Sequence, residues 1–257
     1  YNKNIGLLAS FFMSVFWLNL FFTYRLLVDI PSLAFFIFSA YFFYKYLKNN
    51  LDKKSLYLAA FIIAIGATIK LTTAFLLPAV FFYFLITEKL NFLKKKEIWI
   101  AALIFVLTFA PYILWGYLKF NKFVLTQAAA ATSTGGYSLT LTYDTFMTYL
   151  RSFPNYLSWT FLIIFILGLV SMYKLFLGFD ILIKKGDETL KRDLYLLLIL
   201  LMPILLVSIM IGHSEDRYII NIFPSIFIIS SAFIIKIYKF IKEKNKILAI
   251  ILLIGLL

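Results

Sequence analysis

The sequence predicts an all-α protein, a polytopic bundle of transmembrane helices. Of its 257 residues 63% are hydrophobic and only 14% are charged, and the mean hydropathy is +0.94. Apolar runs long enough to cross a hydrocarbon core of about 30 Å recur along the chain, which favours helices over the alternating strands of a barrel. We expect a single transmembrane domain over residues 1–257, with eight to nine membrane segments, the last of them incomplete and starting at Ile247.

The first two segments lie within residues 5–47. One helix of that length would measure roughly 65 Å, twice the thickness of the core, so the chain must turn. Polar and turn-forming residues from Arg25 to Pro31 stand near the midpoint. Residues 56–87 would make a helix of about 48 Å, and a polar cluster lies at its centre: Thr68, Lys70, Thr72 and Thr73. This cluster predicts a tight hairpin of two short spans.

Further segments are predicted at 98–118, 159–177, 194–211 and 219–238. Residues 119–158 form the longest connection and are predicted to be an extracytoplasmic loop. Within it we expect a mobile stretch from Gln127 to Gly136, a short strand from Tyr137 to Tyr143, and an amphipathic helix on the membrane surface up to Pro154. The helix is indicated by apolar residues at helical spacing: Phe146, Tyr149, Leu150 and Phe153. A loop of this length serves either as a connector or as a substrate cover.

Positive charge sets the orientation. Most of the 25 Lys and Arg residues lie in four loops, at 45–54, 88–97, 174–193 and 236–246, and such loops stay on the cytoplasmic side. We therefore expect a multi-pass protein of the cell membrane. The net charge of +13 then reflects topology and contact with membrane lipids. No nucleic acid partner is expected, because no soluble basic domain is present to hold one.

Several features are absent from the sequence. The chain has no cysteine, which excludes a disulfide or a thiolate metal site. No ligand pattern indicates a metal, so no cofactor is assigned and a divalent metal is left open. The chain begins without Met and stops in an apolar run, and we expect it to be part of a longer polypeptide.

The few charges on the predicted outer face are the candidate site. Charge retained at the end of a membrane span is costly and usually functional. Asp29 stands where a carboxylate would also cap a helix and be favoured by its dipole. Instead of binding a substrate, Arg25 could pair with Asp29 or reach lipid headgroups, and the same structural alternative holds for Lys70. These groups come from separate hairpins yet share one face, an arrangement that phosphate recognition needs.

The segment from His213 to Tyr218 supplies the other charges. Arg217 precedes an apolar run, so its guanidinium is predicted to lie at the headgroup boundary, where it can hold a phosphate in bidentate fashion. Glu215 and Asp216 fit either a site or a solvated turn. His213 is the only histidine, and a lone histidine is more typical of a hydrogen-bonded structural group than of a metal ligand. Tyrosines on this face, Tyr24, Tyr137 and Tyr218, fit sugar stacking or an interfacial belt.

Three motifs resemble a known family. The run Tyr24-Arg25-Leu-Leu-Val-Asp29-Ile-Pro31 resembles the acidic motif that opens a helix in C-type (GT-C) membrane glycosyltransferases, in the branch of dolichyl-phosphate-mannose protein mannosyltransferases and aminoarabinose transferases. Gly66-Ala-Thr-Ile-Lys70-Leu-Thr-Thr with Pro78 is similar to the short hairpin of that branch. The third motif, Arg217-Tyr218 followed by Pro224, is similar to its helix start. The order and spacing agree over about residues 5–235.

The resemblance implies a transferase that moves a sugar from a polyprenyl-phosphate-linked donor to a protein or lipid-glycan acceptor on the extracytoplasmic face. Asp29 matches the second acidic position of the family and is the catalytic candidate, through acceptor orientation or support of the base. Lys70 and Arg217 match positions suited to the lipid phosphate. The remaining candidates for substrate binding are Arg25, His213, Glu215 and Tyr218. The family's leading acid follows its first helix, in an outer loop that precedes the residues of this sequence.

The chemistry of sugar transfer is consistent with these acidic and basic candidate residues. Attack on an anomeric carbon needs a carboxylate for the hydroxyl proton and cations for the departing phosphate. Because phosphate is already a good leaving group, no general acid is required, unlike in a glycosidase. A transporter or flippase for a lipid-linked or anionic substrate is the alternative, although such proteins favour midplane charges and paired repeats. A non-catalytic membrane subunit is a third possible function.

Overall fold

The computed structural model describes residues 2–25, 27–48, 52–120, 143–173, 175, 187–210 and 215–246. Within these ranges the chain is helical, and no strand occurs. The predicted mobile stretch at 127–136, the predicted ninth segment and His213 lie outside the described residues. Most of the predicted strand does too, but its last residue, Tyr143, begins a helix, so a strand reaching that residue is wrong.

Nine α-helices make up the described part. They are α1 (Lys3–Val15), α2 (Trp17–Tyr24), α3 (Asp29–Lys48), α4 (Lys53–Ile69), α5 (Leu76–Glu88), α6 (Lys96–Phe120), α7 (Tyr143–Val170), α8 (Glu188–Met210) and α9 (Phe223–Lys244). Four short 3₁₀ helices join them, at Leu71–Phe75, Lys89–Lys94, Asp216–Tyr218 and Ile220–Ile222. The predicted helical bundle is confirmed.

Within the described ranges, six helical stretches are long and apolar enough to cross a membrane, and the bent pair α1–α2 makes a seventh. The helix α4, with 17 residues, is shorter than the roughly 20 residues of a straight span. With α4 counted as the short span of the hairpin, the described helices account for the eight complete segments that the sequence predicts. The helix α6 shows the expected lipid-facing surface, since Leu103, Leu107 and Leu118 are all more than half exposed.

The first helical run is broken once more than the sequence predicts. Phe16 is extended, and α1 and α2 meet at 54°. The Asn19 side-chain amide donates to the Met13 carbonyl at 3.1 Å, which satisfies a backbone acceptor near the break. The Phe16 ring packs on the rings of Phe223 and Phe227, with centroids 4.5 and 5.2 Å away. These contacts explain how the bend is held.

Two hydrophobic cores divide the bundle. One is built mainly by α1, α2, α7 and α9, the other by α3 to α6, and α8 contributes to both. The helix α3 packs along α4, α4 on α6, α1 and α7 on α9, and α8 on α5. The start of α3, the end of α4 and the chain before α9 therefore come together at one end of the bundle, where the candidate site lies.

The helix α7 contains the predicted amphipathic helix, which is confirmed as a helix. It breaks at Ser158, whose backbone has φ 61° and ψ 157°, and the apolar span follows. The predicted apolar face contacts protein: Tyr149 and Phe153 are buried, whereas Leu150 is exposed. The apolar face of this amphipathic helix therefore packs against the chain before α9.

Candidate site at the convergent helix ends

The site forms where the hairpin turn closes against α3. Gly66 allows this approach, because a Cβ there would lie 2.5 Å from Thr73 Cγ2 and 2.7 Å from Phe35 Cβ. The Ser32 and Thr73 hydroxyls share a hydrogen bond of 2.7 Å. Lys70 itself is extended between α4 and the 3₁₀ helix Leu71–Phe75, so its side chain leaves the hairpin at the turn.

Asp29 and Lys70 form a buried ion pair. Asp29 lies in the first turn of α3, where the helix dipole favours a negative charge, and its carboxylate accepts a hydrogen bond from Lys70 Nζ. The side chains are 2% and 10% exposed. Burial lowers the pKa of Lys70, which lies between helices, while the Asp29 carboxylate opposes that shift. The prediction that Asp29 and Lys70 converge is confirmed by this contact.

Lys70 also reaches the third motif. Its Nζ donates to the Arg217 carbonyl oxygen at 3.0 Å and lies 5.1 Å from the Tyr218 ring centroid. One ammonium group thus ties together three segments that are far apart in sequence. A cation over a tyrosine face is favoured by about 0.5–2 kcal/mol, depending on desolvation.

Arg217 is the more accessible cation, with 41% of its side chain exposed. Its Nε pairs with the Glu215 carboxylate, and its guanidinium carbon lies 5.4 Å from the Tyr218 ring centroid. Burial disfavours its charged form, but the hydrogen bonds and charges of Glu215 and Tyr218 together outweigh burial, and the pKa of Arg217 is raised. Burial and the nearby Glu215 charge raise the pKa of Tyr218. Arg217 therefore stays cationic, and a guanidinium carries five N–H donors with which to hold a phosphate.

Asn221 belongs to the site, and the sequence reasoning missed it. Its side chain is 1% exposed, and its Nδ2 donates to the Thr72 carbonyl at 3.2 Å. This bond ties the chain before α9 to the hairpin next to Lys70. The available signal was an amide in an otherwise apolar run, since a buried amide without a partner is costly and is normally hydrogen-bonded.

Arg25 does not join the cluster. It is exposed, and its guanidinium lies over the Phe21 ring, 4.2 Å from the centroid. Among the described residues the Asp29 carboxylate pairs with Lys70, so the alternative of an Arg25–Asp29 pair is not seen. Tyr24 is 90% exposed. His213 and Tyr137 lie outside the described residues.

An apolar groove of about 270 Å³ extends from about two helical turns below Asp29 to Arg192, near the start of α8. It lies between α3, α8 and α9 and is lined by Phe36, Ile37, Tyr41, Tyr195, Pro224 and Ile228, among others. Phe36 and Ile37 are two helical turns below Asp29, and Pro224 closely follows Arg217. The walls are almost entirely apolar. Such a surface can take a hydrocarbon chain whose polar end lies at the ion cluster.

The described residues contain no group of three or more His, Cys, Asp and Glu side chains that could hold a metal ion. The charges described at the site instead include two pairs of opposite sign, Asp29 with Lys70 and Arg217 with Glu215.

Comparison with known proteins supports the predicted resemblance. The family model of dolichyl-phosphate-mannose-protein mannosyltransferase matches residues 1–115, a range that includes Asp29 and Lys70. The resemblance is confirmed for this part of the chain. Residues 1–115 are thus similar to a membrane glycosyltransferase family, and the apolar helices of the described residues are those of a multi-pass membrane protein. No curated protein and no solved structure matches the chain.

Proposed function

We propose that this protein transfers a sugar from a polyprenyl-phosphate carrier to a protein or lipid-glycan acceptor on the extracytoplasmic face of the cell membrane. The observation that carries the proposal is the contact of Lys70 with both Asp29 and Arg217. It brings two cations to one end of the bundle, and an apolar groove begins about two helical turns further along α3. A lipid-linked phosphate has the complementary shape, an anion at the end of a long hydrocarbon chain.

The proposed roles follow from accessibility. Arg217 holds the donor phosphate, since its side chain is 41% exposed, and Lys70 adds positive charge behind it. When the bond from the anomeric carbon to the phosphate oxygen breaks, negative charge grows on the phosphate and the two cations stabilise it. The acceptor hydroxyl oxygen forms the new bond to the anomeric carbon, and the hydroxyl proton ends on the released lipid monophosphate, so that atoms and charge balance.

Asp29 supports the site in this proposal. Its carboxylate is 2% exposed and bound to Lys70, so it orients the lysine. This geometry argues against direct contact with the acceptor, and orienting Lys70 is a role beyond the two that the sequence predicts, acceptor orientation and support of the base. Glu215 is 37% exposed and pairs with Arg217. A donor phosphate that approaches Arg217 would displace this carboxylate.

The test is sugar transfer from a lipid-linked donor by the full-length protein in membranes. Arg217→Gln removes the charge of the accessible cation, and we expect a loss of at least ~100-fold in kcat/KM, since groups that stabilise developing charge contribute on this scale. Arg151→Gln is the matched control, because Arg151 is an exposed arginine on α7 outside the cluster. Full activity of Arg217→Gln, or equal loss in both variants, would reject the proposal.

A further inference from the structure

The Tyr149 hydroxyl is bound to the backbone of the site segment. It donates to the Glu215 carbonyl oxygen and accepts from the Glu215 N–H, both at 3.1 Å. Tyr149 is only 1% exposed. The Tyr149 side chain on α7 thus binds both the backbone N–H and the backbone carbonyl of Glu215, two positions before Arg217. These two hydrogen bonds restrict the backbone that sets the direction of the Arg217 side chain.

Tyr156 makes a parallel contact. Its hydroxyl donates to the Asp216 carboxylate at 2.5 Å, and its ring packs edge-on against Phe223, with centroids 5.9 Å apart. Asp216 stands next to Arg217 and would otherwise compete for the guanidinium. The ion pair of Arg217 that the structure shows is with Glu215, while Asp216 accepts the Tyr156 hydrogen bond.

The two tyrosines are seven residues apart, which places them on one face of a helix, two turns from each other. Both precede the break at Ser158. This half of α7 follows the segment 121–142 along the chain and contacts the segment that carries Arg217. The placement of the arginine therefore depends on a helix that comes from the long outer connection.

We infer that Tyr149 and Tyr156 are positioning residues for the lipid phosphate: their hydroxyl groups fix residues 215–216 so that Arg217 faces the donor. The inference rests on the proposed function, because it assigns phosphate binding to Arg217. Neither tyrosine contacts the reacting atoms. Both act through Arg217, and their effect must vanish when that arginine is absent.

The experiment measures binding of farnesyl phosphate, a short polyprenyl monophosphate, to the purified full-length protein. The variants are Tyr149→Phe and Tyr156→Phe, which keep the rings and lose only the hydroxyl groups, each alone and combined with Arg217→Gln. Tyr143→Phe is the matched control, since Tyr143 begins the same helix and is 65% exposed. Melting temperature is recorded for every variant.

We expect each single variant to weaken binding roughly three- to tenfold, the scale of one or two lost hydrogen bonds, while Tyr143→Phe binds as the wild type does. In the Arg217→Gln background, Tyr149→Phe and Tyr156→Phe should cause no further loss. Unchanged affinity in both single variants would overturn the inference. An equal loss with and without Arg217 would overturn it as well, since the effect would then be a general one on packing.

The proposed function and the role of the two tyrosines are rejected by different results. If the wild type and Arg217→Gln bind farnesyl phosphate equally, or if neither binds it, the proposed function is overturned and this inference with it. If Arg217→Gln alone weakens binding, the phosphate site stands and only the role of the tyrosines is rejected.

Discussion

The buried pair of Asp29 and Lys70 is the residue-level feature on which the site depends. A charge removed from water is tolerated only with a close partner, and loss of one partner leaves the other uncompensated. The sequence predicted that both charges belong to one face, because each stands at the end of a membrane segment. It could not predict that they pair with each other, since 41 residues separate them and Arg25 was the nearer candidate.

The pair allows a stability prediction. Lys70→Met leaves the Asp29 carboxylate buried without its cation and should destabilise the protein by about 3–5 kcal/mol. The double variant Asp29→Asn with Lys70→Met removes both charges and should recover most of that loss. Melting temperatures of the purified full-length protein in detergent check this.

A surface pair provides the control for this prediction. Lys45 and Asp52 are 3.1 Å apart, with side chains 46% and 24% exposed, and exposed pairs contribute little. Lys45→Met should therefore shift the melting temperature much less than Lys70→Met. A double variant at Asp29 and Lys70 that is no more stable than Lys70→Met alone would contradict the role of the pair.

At the scale of elements, the hairpin of α4 and the following helices was predictable because its length and its polar midpoint disagree with a single span. The turn at Lys70 was predicted from the same polar midpoint, and the helix from Phe146 up to Pro154 was predicted from apolar residues at helical spacing. The bend at Phe16 was not, because neither Gly nor Pro marks it and its support comes from distant rings on α9. The contact of α7 with Glu215 was missed because an amphipathic pattern does not say which surface it packs on.

Gly66 gives a prediction for the hairpin. Alanine there would place its Cβ against Thr73 and Phe35, so Gly66→Ala should destabilise the protein by about 1–3 kcal/mol, as overpacking does. Because Lys70 lies one helical turn after Gly66, a shift of the hairpin would move Lys70, and the affinity for a polyprenyl phosphate should fall as well. Thermal melting and phosphate binding are measured together.

Gly6 is the comparison residue, since a Cβ there meets nothing within 4 Å. Gly6→Ala should leave binding unchanged and raise stability by about 0.5–1 kcal/mol through helix propensity. If both alanine variants behave alike, the close approach at Gly66 is not what holds the hairpin shut.

For the whole molecule, charge is divided between the two ends of the bundle. The helices α3 and α9 begin near the candidate site and carry basic residues in their last turns, Lys45 and Lys48 in α3 and Lys242 and Lys244 in α9. The helix α4 runs the opposite way, from its basic start at Lys53 towards the site. This arrangement agrees with the predicted orientation, in which the site faces outward and the basic loops stay in the cytoplasm.

Absence of cysteine from these 257 residues makes the orientation testable, because a cysteine introduced among them is a unique label there. Asp144→Cys lies in the first turn of α7 and Glu243→Cys near the end of α9, and both positions are exposed. A membrane-impermeant maleimide should label Asp144→Cys in intact cells and Glu243→Cys only after permeabilisation. The reverse pattern would place the site in the cytoplasm.

The central claim is that one site at the convergent helix ends binds a lipid-linked phosphate. Photocrosslinking with a polyprenyl phosphate that carries a diazirine in its first isoprene unit tests it most directly. We predict labelling within residues 29–41 and 217–228, competed by unlabelled polyprenyl phosphate and strongly reduced by Arg217→Gln. Labelling confined to other helices, or labelling of these two segments that neither the competitor nor Arg217→Gln reduces, would contradict the account.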